Sequence, residues 1–249
     1  MNKLVFLGTG AGDMGMLTQV IKTSSMYFEF DGLKFIVDPG PGTIVNAVEN
    51  DIVLLELDGL IVTHPHPDHY ADANPLIDSL RKKGTFLIAG KKCLEESESS
   101  YPVINKFQQN IPEKVYGIQP GDMIKIHDVV FEGVKNNHLD VGLGIKFIGS
   151  KRIGYLNDGS ISGLEEFYKN MDMLIFNVYT PYQRPIMKGI HTGVDEVIEF
   201  LKKTRPKQAI IQHFSLGMLE AGIERQAEII EKESGVKTMA AKDGMILEF

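Results

Sequence analysis

The chain is poor in cysteine, and Cys93 is the single one among its 249 residues. One thiol cannot form an intrachain disulfide, and it cannot build a thiolate cluster around a metal ion. Any metal must therefore be held by nitrogen and oxygen atoms. Cys93 is interpreted as a bystander to the chemistry.

Long apolar runs are lacking as well. No stretch approaches the roughly 18 to 20 apolar residues that cross a bilayer. Residues 1–7 lead into a glycine-rich segment and lack the charged and apolar regions of a signal peptide. These patterns predict a cytoplasmic protein without membrane association. No low-complexity linker interrupts the chain, so residues 1–249 are predicted to form one domain.

Basic surface is also scarce, because the formal net charge is -7. The longest basic clusters, at residues 81–83 and 202–207, are typical of solvated helix ends. A nucleic-acid footprint needs a basic face. Composition therefore argues against a large RNA or DNA substrate.

Short apolar strands alternate with segments that place apolar residues three to four positions apart. Strands are predicted at residues 4–7, 26–30, 34–37, 59–62, 85–89, 123–126, 129–135, 144–148, 152–156, 173–177, 208–211 and 245–249. Helices are predicted at residues 43–49, 75–82, 94–109, 161–169, 194–203 and 219–233. The first half is interpreted as richer in hairpins, with Asp31-Gly32 as a two-residue turn, and the second half as alternating helix and strand. This pattern predicts an α/β protein of two packed sheets covered by helices.

The run His64-Pro65-His66-Pro67-Asp68-His69 follows the apolar strand at residues 59–62. Its prolines exclude a helix and hold the segment extended or turned. Alternation in an extended chain sends His64 and His66 to one side. Asp68 and His69 follow at the turn into a helix. The run therefore predicts two nearby metal ions, and nitrogen and carboxylate ligands suit zinc, with manganese or iron as alternatives.

The letters T-H-P-H-P-D-H at residues 63–69 resemble the T-H-x-H-x-D-H signature of metallo-β-lactamase-fold hydrolases. The likeness extends across nearly the whole chain, and it implies a four-layer αββα sandwich that holds two divalent metal ions. Asp38 resembles the aspartate that braces the histidine loop in that family. By resemblance, the ligands are His64, His66 and His138 on one metal, Asp68, His69 and His213 on the other, and Asp158 between them.

The family often has Gly-Asp-Thr around the bridging aspartate, whereas this chain has Asn157-Asp158-Gly159. His127 has no comparable context and is interpreted as structural or exposed.

The opening Phe6-Leu7-Gly8-Thr9-Gly10 and the pair Ser24-Ser25 resemble the ribonuclease Z-like branch of this family. In that branch a histidine at the place of His191 assists the phosphate or the leaving group. The resemblance therefore implies catalytic roles for His191 and for the ligand Asp68. The alternative is that His191 merely precedes a helix, which Thr192 is predicted to cap with Asp195 three positions later.

True ribonuclease Z carries a long arm rich in glycine and proline that grips transfer RNA. Residues 91–114 instead predict an acidic helical stretch, which would repel an RNA backbone. The expected substrate is thus a small or cyclic phosphodiester, attacked by a metal-bridging hydroxide, and a homodimer is plausible by resemblance only. The alternatives are an ester, thioester or lactone hydrolase, a transfer-RNA 3′-end endonuclease, and a metal-binding regulator without enzymatic activity.

Residues 10–15 also read G-x-G-x-x-G, the dinucleotide fingerprint. That site needs a helix that starts within the glycines and a second, parallel strand. The following strands predict an antiparallel hairpin instead. The glycines are therefore interpreted as letting the backbone approach the metal pocket.

Overall fold

The computed structural model describes residues 1–96, 101–139, 141–183 and 190–249, and at positions 13 and 14 only the backbone. The chain divides into two compact units. The N-terminal unit comprises Met1–Gln119 with Lys242–Phe249, and the C-terminal unit comprises Pro120–Ala241. Among the helices of these ranges, none combines the length and the apolar character needed to span a membrane.

Both units contain strands and helices, which confirms the predicted α/β class. Strands β1 to β14 lie at Lys3–Gly8, Ser25–Phe30, Leu33–Val37, Gly59–Val62, Phe86–Gly90, Lys114–Ile118, Met123–Ile126, Val129–Lys135, Leu143–Ile148, Arg152–Leu156, Met173–Asn177, Gln208–Gln212, Thr238–Ala240 and Met245–Glu248. Helices α1 to α9 lie at Gly12–Thr18, Thr43–Glu49, Pro67–Tyr70, Ala73–Ile77, Lys91–Leu94, Lys106–Gln109, Val194–Thr204, Leu216–Ala221 and Ile223–Ser234. Short 3₁₀ helices lie at Leu54–Glu56, Asp78–Leu80 and Glu165–Tyr168.

The N-terminal unit is built on a mixed sheet, whose described strands run in the order β14-β1-β2-β3-β4-β5-β6. Strands β14, β1, β2 and β3 pair antiparallel, whereas β3 to β6 pair parallel. The predicted turn at Asp31-Gly32 is confirmed, because both residues have positive φ, 48° and 83°. Positive φ at both central residues is the requirement of a type I′ hairpin turn.

The C-terminal unit is built on a second mixed sheet, with described strands in the order β13-β12-β11-β10-β9-β8-β7. Strands β7 to β10 pair antiparallel, and β10 to β13 pair parallel. Each unit thus contains hairpins and parallel strands, and the predicted contrast between a hairpin-rich half and an alternating half is wrong. Buried strands show the same continuous apolar runs in both kinds of pairing, so the pattern does not separate them.

The predicted helix at residues 94–109 is wrong: the chain forms the short helices α5 and α6 at its two ends. Pro102 disfavours a continuous helix, and the Asn105 side chain accepts a hydrogen bond from Gln108 N, which starts α6 anew. The helix predicted at residues 219–233 is likewise divided, at Gly222, whose φ is 80°. Strands β6 and β13 were not predicted. Each is an edge strand with partly exposed residues, so neither carries a strong apolar signal.

Apolar side chains cover both faces of the N-terminal sheet. On one face, Leu60 and Leu87 belong to a buried cluster with Ala47 of α2 and Leu76 of α4. On the other, the Phe28 and Phe35 rings stack at 5.2 Å between centroids. Sheets buried on both faces hold their strands in fixed register. The strand ends therefore offer rigid positions for the polar residues that follow them.

Gly59, the first residue of β4, tests this packing. A Cβ there would lie 2.1 Å from Phe86 Cζ. We expect Gly59→Ala to lower the free energy of unfolding by about 1–3 kcal/mol, because the Phe86 ring must shift within a packed core. The measurement is the denaturant midpoint at unchanged m-value. Gly217→Ala in α8 is the control, since its nearest neighbour would be Ser215 Oγ at 3.5 Å. Equal stability of the two variants would contradict the prediction.

Candidate metal centre

Asp38 lies at the end of β3, and its buried carboxylate organises the histidine run that follows β4. Asp38 Oδ1 accepts a hydrogen bond from Thr63 N at 2.7 Å. Its Oδ2 accepts one from Thr63 Oγ1 at 2.8 Å and lies 3.1 Å from His69 Nδ1. A carboxylate only accepts, so His69 Nδ1 carries the proton and Nε2 becomes the basic nitrogen. The expected bracing role of Asp38 matches these contacts.

The same carboxylate also sets the tautomer of His64. Thr63 Oγ1 lies 3.0 Å from His64 Nδ1. The single hydroxyl proton of Thr63 already goes to Asp38, so His64 Nδ1 donates and Nε2 is basic. His64 Nε2 then lies 3.2 Å from His66 Nδ1. Two nitrogens on a tetrahedral zinc ion, each at ~2.0–2.1 Å, are roughly 3.3 Å apart, so this pair fits one cation.

Asp68 and His69 lie in α3, which begins at Pro67 directly after His66. Asp68 Oδ2 accepts a hydrogen bond from Gly12 N at 3.1 Å and lies 3.6 Å from His69 Nε2. The glycine-rich segment thus reaches a candidate ligand, as expected. A helix does begin at Gly12, but β1 pairs antiparallel with both β14 and β2. The parallel strand pair of a dinucleotide site is therefore not formed by β1.

The C-terminal unit brings together His138, Asp158, His191 and His213. His213 Nδ1 lies 3.4 Å from Asp158 Oδ1, and His191 Nδ1 lies 3.7 Å from Asp158 Oδ2. The His138 and His191 rings are 5.4 Å apart between centroids. His138 Nδ1 lies 3.2 Å from the Ile190 carbonyl, to which it can only donate, so Nε2 is its basic nitrogen. All four sequence-predicted residues of this unit thus share one site.

Two buried amides, Asn177 and Gln212, hold Asp158 in place, and sequence reasoning missed both. Asn177 Nδ2 donates to Asp158 Oδ1 at 2.8 Å, and Gln212 Nε2 donates to Asn177 Oδ1 at 3.0 Å. Each amide is the last residue of its strand, and the two are register partners in β11 and β12. The signal that could have found them is a buried polar residue directly after an apolar run at the end of a strand.

Gly159 explains why this chain departs from Gly-Asp-Thr after the aspartate. Its φ is 114°, and a Cβ there would lie 2.7 Å from His138 N and 2.6 Å from Asn136 Oδ1. A threonine at this position would be strained and would displace His138. The Asn157 side chain also donates to Leu143 O at 2.7 Å and accepts from Asn136 Nδ2. Asn157 and Gly159 are therefore matched to the loop that carries His138.

The predicted capping role of Thr192 is wrong. Helix α7 begins after Gly193, whose N–H donates to Glu196 Oε2 at 3.4 Å. Thr192 Oγ1 instead donates to the Gly159 carbonyl at 2.5 Å, and Asp195 accepts from Gln183 N at 3.0 Å. The hydroxyl has a nearer acceptor in the loop after Asp158, so Thr192 ties the His191 loop to that loop.

The donor set of both units consists of imidazole nitrogens and carboxylate oxygens, which suits zinc and tolerates manganese or iron. Cys93 is buried, and burial raises the pKa of its thiol, which keeps it protonated. A protonated, buried thiol is not a metal ligand, in line with the bystander prediction. His127 is exposed on the turn between β7 and β8, also as predicted.

Asp38→Asn tests the bracing carboxylate. An amide cannot accept from Thr63 and His69 at once without presenting a donor to one of them. We expect zinc affinity about 10- to 100-fold lower, measured by competition with a chromophoric chelator. Asp58→Asn is the matched control, because Asp58 Oδ2 accepts from Lys34 N at 2.9 Å just before β4 begins. Unchanged zinc affinity in Asp38→Asn would refute the role.

Asn177→Leu and Gln212→Leu test the two amides. Each change breaks a buried hydrogen bond, so both should cost about 1–3 kcal/mol of stability. Asn177 donates directly to Asp158, whereas Gln212 donates to Asn177, so Asn177→Leu should lower zinc affinity by about 10-fold or more and Gln212→Leu by less. Thermal unfolding and zinc titration provide the two readouts. An equal loss of zinc affinity in both variants would contradict a direct role for Asn177.

The sequence of this chain is similar to a known protein family and to several proteins of archaea. Residues 34–214 match a family model described as a Beta-lactamase superfamily domain. An uncharacterized protein of Methanocaldococcus jannaschii is 29% identical, and the alignment covers 99% of this chain and 94% of that protein. Ribonuclease Z of Methanosarcina mazei is 26% identical over 63% of this chain and 52% of its own length, so this chain matches about half of that enzyme.

Solved structures share the fold. The metallo-beta-lactamase fold protein YhfI from Bacillus subtilis has a TM-score of 0.80 at 18% identity, with 100% of this chain and 99% of YhfI covered. A diphosphatase from the PhnP family has a TM-score of 0.69 at 19% identity, with 100% and 98% covered. These similarities confirm the predicted fold class and the resemblance to ribonuclease Z-like proteins. The chain therefore belongs to the beta-lactamase superfamily and has the metallo-beta-lactamase fold.

Proposed function

We propose that this protein is a hydrolase that uses two divalent metal ions, zinc by preference, to cleave a small or cyclic phosphodiester. The observation that carries the proposal is the pairing of His191 with Asp158. His191 Nδ1 lies 3.7 Å from Asp158 Oδ2. The pairing adds a proton donor to a metal-ligand set, which phosphodiester cleavage requires when the departing oxygen is a poor leaving group.

The proposed ligands come from both units, so residues 1–249 are proposed to act as one functional domain. Family membership and the donor chemistry of each unit support this assignment. One cation would be held by His64, His66 and His138, the other by Asp68, His69 and His213, and Asp158 would be shared. Such cations, when bound, lower the pKa of a water ligand toward neutrality and neutralise developing negative charge.

The protein's own side chains would orient the ligands and move the proton. Asp38 fixes His69 with its proton on Nδ1, and through Thr63 it does the same for His64. His191 directs Nδ1 toward Asp158, which leaves Nε2 as the nitrogen that faces the departing oxygen. His191 Nε2 would give its proton to that oxygen as the phosphorus–oxygen bond breaks.

The choice of phosphorus chemistry rests on relatives and on charge. A diphosphatase and ribonuclease Z are among the proteins this chain is similar to. The formal net charge of -7 argues against a large RNA as substrate, because the RNA backbone is itself strongly negative. A small phosphodiester carries far less charge and meets less repulsion.

The test is a turnover assay of the metal-loaded and the chelator-stripped protein. The panel contains bis(p-nitrophenyl) phosphate, cyclic nucleotides, an acyl ester, a lactone and a transfer-RNA precursor. We expect turnover of the small phosphodiesters, loss of activity on metal removal and recovery with zinc or manganese. Turnover of the acyl ester or lactone alone would replace the proposal by acyl hydrolysis. Metal binding without turnover of any substrate would favour a regulator.

His191→Ala tests the proton donor. We expect kcat on a cyclic nucleotide to fall about 10²- to 10⁴-fold, because its departing alkoxide needs a proton. The loss on bis(p-nitrophenyl) phosphate should be much smaller, since p-nitrophenolate leaves without one. His127→Ala, on the exposed β7–β8 turn, is the control and should change neither rate. Equal losses on both substrates would contradict the acid role of His191.

A further inference from the structure

We infer that Tyr179 is a positioning residue that sets the orientation of His191. The Tyr179 and His191 rings stack with 4.4 Å between centroids and 15° between planes. This near-parallel face contact restricts tilting of the imidazole plane by rotation about the His191 Cβ–Cγ bond. The inference rests on the function proposed above, since it concerns how His191 is held for proton transfer.

Backbone hydrogen bonds hold the two segments that carry the rings side by side. Tyr179 N donates to Thr192 O at 2.9 Å, and Val194 N donates to Thr180 O at 3.0 Å. The segment after β11 and the segment before α7 therefore run side by side. Tyr179 and His191 lie where this pairing ends, so the backbone positions from which the two rings project are fixed relative to each other.

A third loop is tied to the same residue. Ser215 Oγ donates to the Tyr179 carbonyl at 2.5 Å, and it accepts from Met218 N at 3.3 Å as the cap of α8. Ser215 follows His213 by two positions in the sequence. Tyr179 thus joins the loops that carry His191 and His213 through its main chain, while its ring contacts His191.

The stack and Asp158 together determine how His191 is presented to the substrate. His191 Nδ1 lies 3.7 Å from Asp158 Oδ2, and the His138 ring lies 5.4 Å away at a tilt of 41°. A half-turn of the imidazole would keep the stack on Tyr179 but would remove Nδ1 from Asp158. The imidazole side chain is 16% exposed, so part of its edge reaches solvent. Tyr179 therefore fixes the plane of the His191 ring, and Asp158 keeps Nδ1 on its own side, which leaves Nε2 for the departing oxygen.

The first test distinguishes the effect of a planar aromatic ring at position 179 from the effect of side-chain volume alone. Tyr179→Phe keeps the stack and should retain wild-type kcat within about 2-fold. Tyr179→Leu keeps bulk without a plane, and kcat on a cyclic nucleotide should fall about 10- to 100-fold with KM and metal content unchanged. Tyr101→Leu, at a tyrosine that is 79% exposed, is the control. Equal kcat for the Phe and Leu variants would overturn the inference.

The second test asks whether Tyr179 acts through His191. In a double-mutant cycle, Tyr179→Leu should have no further effect on kcat once His191 is changed to Ala. Multiplicative losses would show that Tyr179 acts elsewhere, and a general loss of structure would appear as lost metal or a lowered Tm.

A crystal structure of Tyr179→Leu separates this inference from the proposed function. We expect the distance from His191 Nδ1 to Asp158 Oδ2 to change relative to the wild-type crystal structure. An unchanged His191 in that variant overturns the inference, whatever the substrate. An inactive wild type whose His191 still depends on Tyr179 would instead refute the proposed function alone.

Discussion

The buried Asp38 carboxylate accepts hydrogen bonds from Thr63 N, Thr63 Oγ1 and His69 Nδ1, and the N-terminal half of the candidate centre depends on it. A buried carboxylate is costly unless its oxygens are satisfied. Here the satisfaction comes from the histidine loop itself, so the loop conformation and the carboxylate stabilise each other. The same network places the protons on Nδ1 of His64 and of His69, which leaves Nε2 of each as the basic nitrogen for a cation.

In the C-terminal unit, amide side chains satisfy the buried Asp158 carboxylate. Asp158 accepts from Asn177, and Asn177 in turn accepts from Gln212. Both amides end neighbouring parallel strands, where apolar side chains bury both faces of the sheet. In each unit, therefore, a packed sheet holds the strand ends rigid. Hydrogen bonds from residues at those ends then orient a candidate ligand, His69 in one unit and Asp158 in the other.

Prediction from sequence was strongest where a local pattern carries its own geometry. The apolar strands before His64 and Asp158 were predicted at their observed bounds, Gly59–Val62 and Arg152–Leu156, and Asp31-Gly32 formed the expected turn. It failed where a non-local partner decides the outcome. The edge strands β6 and β13 lack a strong apolar pattern, and the long helix predicted after β5 was interrupted. Thr192 bonded a carbonyl 33 positions away in place of the helix start beside it.

The sequence by itself determined the donor chemistry of this protein: a histidine run after a buried strand, one cysteine, and carboxylates at strand ends. Those are properties of residue type and spacing, and no fold is needed to read them. Only the tertiary structure decided which nitrogen of His64, His69 and His138 is basic, which amides hold Asp158, and that Tyr179 stacks on His191. Each of these depends on contacts between segments far apart in the chain, whose distances are set by packing and not by local pattern.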